Sequence, residues 1–279
     1  MKKGLKGRIP EIFFTLLLIV GIGIALYPFV SDWWNDRHQT QAIASYQQTV
    51  ASTSADDRQQ MWDEAVAYNE SLSSGLGRLE LSPEERTRYE ATLDVTGTGI
   101  MGYVEIPKIS VNLPVYHGTD DAVLQVAIGH IPGSSLPVGG TGTHCVISGH
   151  RGLPSARLFS DIDQLREGDV FMVHVLDQTL TYQVDQIRTV LPDELDDLAI
   201  DPELDLCTLV TCTPYGVNTH RLLVRGHRIP NEQVSTMQGD MSQIDPVLVA
   251  AVVTAVVFAA IVVVRQARRA HAGRRSGAE

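Results

Sequence analysis

Two long apolar runs bracket a chain whose middle alternates between polar and apolar positions. The first, IFFTLLLIVGIGIALYPFV (12–30), has 19 residues and no charge. The second, VLVAAVVTAVVFAAIVVV (247–264), has 18. Each is long enough to cross a bilayer as a helix. Between Asn35 and about residue 95, apolar residues such as Ile43, Tyr46, Val50, Met61, Ala65 and Tyr68 recur at helical spacing in a polar background. This predicts one or two amphipathic helices leaving the membrane as an exposed arm. SLSSGLG (71–77) breaks the pattern, and SPEERTRYE from Ser82 reads as a capped helix start. From Gly99 the texture changes. DVFMVHVL and TLTYQVDQIRTVL alternate as half-buried strands do, whereas THCVISGH and LCTLVTC are short apolar runs suited to buried strands. Only DDAVLQVAIGHI and SARLFSDIDQL suggest helices. The expected core is therefore an all-β domain over 99–230, a closed barrel with a few short helices.

The distribution of charge orients these elements. Lys2, Lys3, Lys6 and Arg8 precede the first run, and Arg265, Arg268, Arg269, Arg274 and Arg275 follow the second. Positive flanks remain cytoplasmic, so both termini are expected inside and the barrel outside. The small-x-small pattern Ala42–Ala44 lies too far beyond the first run for signal cleavage, which favours an uncleaved anchor. The expected organisation is a basic N-terminus (1–11), a span (12–30), a helical arm or lid region (31–98) and the barrel (99–230). A linker (231–246), a second span (247–264) and a basic tail (265–279) follow. Of the formal net charge of −11, the tails are positive and residues 12–264 carry −18. An acidic external domain argues against nucleic-acid binding. The loop PDELDDLAIDPELD (192–205) has no EF-hand spacing and reads as solvated. No metal or other cofactor is expected, because no Cys/His cluster with zinc spacing occurs.

The candidate chemistry lies in TLVTCTPYGVNTHRLLVRG (208–226). A lone thiol is more often a core filler than a nucleophile. As a nucleophile, Cys212 needs a base and a cation that favours its thiolate. Nine histidines are available, and spacing alone leaves at least His150, in SGHRG, and His220, in the hairpin after Cys212, in competition. Side chains alternate along a strand, so Cys212 shares a face with Val210 and Thr208 while Cys207 points away. By the same parity His150 lies with Ser148 and Val146, and Cys145 points away. If these strands are neighbours, Cys212 and His150 meet at their ends, and Cys145 and Cys207 sit together as buried free thiols.

TLVTCTPYGVNTHRLLVRG, with THCVISGHRGLPSARLF and GYVEIPKI, resembles the sortase family, specifically its pilus-assembling class C branch. The resemblance covers about residues 99–230 and implies an eight-stranded barrel. It further implies that Cys212 is the nucleophile, His150 the acid/base and Arg221 the residue that polarises the scissile carbonyl. The implied reaction is transpeptidation on the outer surface of a Gram-positive cell membrane. An LPxTG-like signal on a secreted pilin or surface protein is cleaved between Thr and Gly, and the acyl group passes to a lysine of another pilin. A cell-wall precursor as acceptor is the near alternative, and a non-catalytic membrane scaffold the alternative from another class. One departure stands out. The Asp-Pro-aromatic lid anchor of that branch is missing, since Pro83 is the only proline between Asn35 and Gly99. The arm is therefore expected to cover the site loosely, through residues such as Trp62 or Leu79.

Overall fold

The computed structural model describes residues 9–72 and 79–231. Eight strands close into a barrel: β1 (Ile100–Ile106), β2 (Val111–His117), β3 (Ile128–His130), β4 (Thr143–Ser148), β5 (Val170–Val175), β6 (Gln178–Val190), β7 (Asp205–Thr213) and β8 (His220–Ile229). Their order around the barrel is β1-β2-β3-β4-β7-β8-β6-β5. Pairing is antiparallel except for β2 with β3 and β4 with β7. The expected eight-stranded closed barrel is thus present. The two segments expected as helices are mostly something else. DDAVLQVAIGHI yields only the single turn α4 (Asp121–Leu124) before becoming β3, and SARLFSDIDQL only a short 3-10 turn at Ile162–Gln164. Closure explains the first case: β3 supplies the bridge between β2 and β4, and this tertiary demand outweighs a weak local preference.

Strand parity sets which residues face inward. Cys145, Ile147, Cys207 and Leu209 belong to the main apolar cluster inside the barrel. Val146, Val210, Leu223 and Leu198 form a second, smaller cluster on the outer face. Leu198 lies in the 3-10 turn Asp196–Leu198 of the β6–β7 connection, which covers the outer side of β4 and β7. Both strands are consequently buried on two faces, the physical reason for their unbroken apolar runs. Cys145 and Cys207 are register partners, both buried and unbridged, as parity implies. Burial first, then the neighbouring Cys145 sulfur, pushes the Cys207 thiol well above its ordinary value.

The N-terminal region differs from an exposed arm. α1 (Ile9–Ser52) is one continuous helix, so the first apolar run and the segment after it are a single element. No glycine or proline interrupts residues 31–52. Among the described residues, α1 alone is long and apolar enough to cross a membrane, and its apolar portion is exposed. The second apolar run lies outside the described residues, as do the linker and the basic tail. α2 (Ala55–Ser71) is capped by Ser54, whose Oγ accepts from the Asp57 N–H. α3 (Pro83–Ala91) begins with the reciprocal Ser82–Glu85 capping box that its sequence announces. Tyr46, Val50, Ala65, Tyr68, Tyr89 and Leu93 from this region join the barrel interior in one apolar cluster. Trp62, one of the residues expected to make the arm's apolar contacts, packs partly buried against that cluster.

Polar groups fix the same docking. The Tyr46 hydroxyl donates to the Met101 carbonyl (3.1 Å) and accepts from the Leu176 N–H (2.7 Å). Asn69 exchanges two bonds with the Leu136 backbone, at 3.1 and 2.7 Å. The Tyr89 hydroxyl donates to the His130 carbonyl and accepts from the Gly118 N–H, both at 3.0 Å. Near its midpoint α1 also holds the β4–β5 connection. The Asn35 amide donates to the Ser155 carbonyl (2.6 Å), and Asp32 accepts from the Arg157 N–H (2.8 Å).

Tyr46→Phe leaves the buried Leu176 N–H unpaired and is expected to lower stability by about 1–3 kcal/mol. Denaturant unfolding measures this, and removal of everything before Gly99 should abolish the cooperative transition. The buried positions of Cys145 and Cys207 give a second expectation. Brief alkylation of native protein should label Cys212 alone, as read by peptide mass mapping, with all three labelled after denaturation.

Candidate active site

β7 and β8 run antiparallel, with Cys212 directly opposite Arg221 and Thr213 opposite His220. Directly opposed residues project from the same face of an antiparallel pair. Cys212 and Arg221 therefore share the outer face, with Val210 and Leu223 the next pair along it. The connecting loop, Pro214–Thr219, turns tightly through left-handed Gly216 and Asn218, and both the Val217 and Asn218 N–H groups donate to the Pro214 carbonyl at 3.0 Å. The Arg221 guanidinium folds back toward this loop, donating to the carbonyls of His220 (3.2 Å) and Asn218 (3.4 Å). Among the described residues it forms no ion pair with a carboxylate, so its charge is not already committed.

His150 arrives from the other side of β7. β4 pairs with β7 in parallel up to Ser148 opposite Val210. The chain then stays in step: the Gly149 N–H donates to the Val210 carbonyl (3.0 Å), and the Thr211 hydroxyl donates to the Gly149 carbonyl (2.7 Å). One residue beyond His150, Arg151 Nη1 donates to the Thr213 hydroxyl (3.3 Å). With 149 beside 211 and 151 beside 213, His150 lies level with Cys212. Gly149 permits this close approach, because a Cβ there would stand 2.7 Å from both Ile128 and Phe159 side-chain atoms. The Phe159 N–H in turn donates to the His150 carbonyl (3.1 Å). Cys212, His150 and Arg221 are all half-buried, and the loop after Cys212 is exposed, so the cluster is reachable by a large substrate.

The competing histidine falls elsewhere. His220 is one step beyond Arg221, opposite Thr213, and so projects from the other face. The remaining described barrel histidines have structural partners, such as His117 between the Gly99 and Thr92 carbonyls and His174 beside Glu105. Sequence reasoning brought together Cys212, His150 and Arg221. It missed Arg151, Thr211 and Thr213, although Arg151 stood in the SGHRG motif, because nothing in one strand says what a side chain meets in the next. It also missed the outer apolar strip of Val146, Val210, Leu223 and Leu198, which begins one residue pair away from Cys212 and Arg221.

The barrel has counterparts among known proteins. The Sortase domain family matches residues 104–229. The chain is 55% identical to the crystal structure of sortase C1 from Streptococcus agalactiae, over 68% of this chain and 99% of that one, with a TM-score of 0.67. It is 45% identical to Streptococcus pneumoniae sortase C, over 68% of this chain and 97% of that one, with a TM-score of 0.62. Among curated relatives, sortase D of Bacillus subtilis is 29% identical over 131 residues, covering 46% of this chain and 63% of that protein. A closed barrel of this strand order, a family match across it and near-complete coverage of two sortase C structures show that the chain belongs to the sortase family of cysteine transpeptidases.

Proposed function

We propose that the chain is a membrane-anchored pilus sortase that cleaves an LPxTG-like signal and joins pilins by isopeptide bonds. The observation that carries the reading is the Cys212–Arg221 opposition on β7 and β8, with His150 level with Cys212 on its other side. In this reading the Cys212 thiolate attacks the Thr–Gly carbonyl carbon of the sorting signal. The developing oxyanion accepts hydrogen bonds from the Arg221 guanidinium, whose fixed fork suits a tetrahedral centre. His150 donates a proton to the departing glycine amine, leaving a thioester on Cys212. A lysine amine of another pilin then attacks the thioester, His150 takes the proton from that amine, and the thiolate leaves. The thioester conserves the energy of the peptide bond, so these steps need no nucleotide.

The pilin assignment draws support from the sortase C neighbours, one of which is described in terms of pilin substrate specificity. The anchoring draws support from α1, whose exposed apolar length is followed by exposed Trp33 and Trp34, residues typical of a membrane–water interface. In this reading the run 247–264 forms a second span, and both basic termini lie in the cytoplasm.

The test is the full chain in lipid nanodiscs with an LPxTG-type peptide, offered a pilin domain or oligoglycine as acceptor and analysed by mass spectrometry. A lysine-linked product with the pilin domain is expected, and exclusive transfer to oligoglycine would instead indicate single attachment to cell-wall precursor. Cys212→Ala should abolish the thioester, and His150→Ala should nearly do so. Arg221→Lys keeps the charge but loses the fork, and turnover should fall by about a hundredfold or more. Near-normal turnover in that variant would remove Arg221 from the oxyanion role.

A further inference from the structure

Arg151 takes no part in the steps above, yet its environment is built around it. Its side chain is only 10% exposed, although it follows a half-exposed histidine in a surface loop. Nη1 donates to the Thr213 hydroxyl at 3.3 Å, and Nη2 binds the Asp163 carboxylate. The guanidinium carbon lies 5.8 Å from the centre of the Tyr215 ring, close enough for a cation–π contact. That ring also covers Gly152, where a Cβ would come within 3.1 Å of it. Nε is buried without a partner, a desolvation cost that an arginine free to reach solvent would avoid. The side chain is therefore held where it is by the groups around it.

What this holding accomplishes follows from the strand register. The backbone ladder between β4 and β7 stops, among the described residues, at the Gly149 N–H to Val210 carbonyl bond. His150 comes after the last rung. Two side-chain ties on the opposite face continue the alignment: Thr211 to the Gly149 carbonyl on one side of His150, and Arg151 to Thr213 on the other. Arg151 also bridges three segments, the end of β4, the end of β7 with its loop, and the 3-10 turn containing Asp163. We propose that Arg151 is a positioning residue that latches the extension of β4 onto the end of β7 and so keeps His150 level with Cys212. This rests on Cys212 and His150 being the reacting pair. A lysine is no substitute, since a single ammonium does not reach Thr213 and Asp163 together in the geometry of the fork.

The latch predicts a specific kinetic pattern for the full chain in nanodiscs cleaving an LPxTG-type peptide. Arg151→Gln should lower kcat by about thirtyfold or more while KM stays within about twofold, the signature of a lost arrangement rather than lost substrate contacts. Arg151→Lys should recover little of this. Thr213→Val, which keeps the guanidinium but removes its acceptor, should lower kcat by about threefold to tenfold. Because both changes cut the same tie, Thr213→Val should add almost nothing in the Arg151→Gln background. Full recovery by Arg151→Lys, a kcat within about threefold of wild type in Arg151→Gln, or independent multiplying effects of the two changes would each overturn the latch. If Arg151→Gln does not fold by circular dichroism, Thr213→Val and Asp163→Asn carry the same test, with kcat loss at constant KM expected and an unchanged kcat in both overturning it. The arms separate this proposal from the reading beneath it: an active Cys212→Ala defeats the nucleophile assignment, whereas an active wild type with dead Cys212→Ala and normal Arg151→Gln defeats only the latch.

Discussion

The parallel pairing of β4 with β7 is the constraint on which the site depends. One residue of slip would send every side chain of β4 to the opposite face. His150 would then point into the barrel, and Cys145 would face outward among Val210 and Leu223. The register is held by buried residues on both faces at once, with Cys145, Ile147, Cys207 and Leu209 inside and Val146, Val210 and Leu198 outside. A strand buried on two sides has no polar face to offer water, so slippage costs on either face. The same pairing also decides the fate of the three thiols. Two are enclosed by the barrel, and Cys212, one residue before the end of β7, is only half-buried.

Around this pair of strands the remainder of the molecule serves as support. β8 returns antiparallel to β7, so that Arg221 is brought opposite Cys212 by a loop of only six residues. The β6–β7 connection folds Leu198 over the outer face and closes one side of the apolar strip next to the cluster. The N-terminal helices are part of the fold and not an appendage to it. Tyr46, Tyr89 and Asn69 pack against the barrel and satisfy buried backbone groups there, which a detachable lid would leave exposed on opening. Through Asp32 and Asn35, the long helix α1 also grips the β4–β5 connection a few residues after His150. The segment with membrane-spanning character and the loop beyond the histidine are thereby joined by direct hydrogen bonds.

Local pattern alone announced much of this architecture. Period-two alternation identified β5 and β6, unbroken apolar runs identified β4 and β7, and the Ser82–Glu85 pair identified the start of α3. Parity along single strands separated Cys212 from Cys207 and His150 from Cys145, because alternation is a property of the strand itself. The amphipathic character of residues 35–95 was equally legible. Whether its apolar face met solvent, a membrane or the barrel was not, because a helix carries no statement of what covers it. The short strand β3 was hidden for a related reason: three residues are too few for a period, and closure of the sheet is what makes them a strand.

The sequence by itself determined most of the element types, the charge-marked ends and the two faces of each strand, and its motifs resembled a family in which Cys212, His150 and Arg221 would act together. These depend on residues near one another in the chain, where period, capping and motif act. Tertiary structure alone decided that β4 lies beside β7 in step, that His220 falls on the face away from Cys212, and that Arg151 meets Thr213 and Asp163. It also decided that the N-terminal helices share the core of the barrel. Each of these is a contact between segments far apart in sequence, fixed by which strands pair and in what register. A pattern confined to one strand leaves its neighbour unnamed, and the closing of the barrel supplies it.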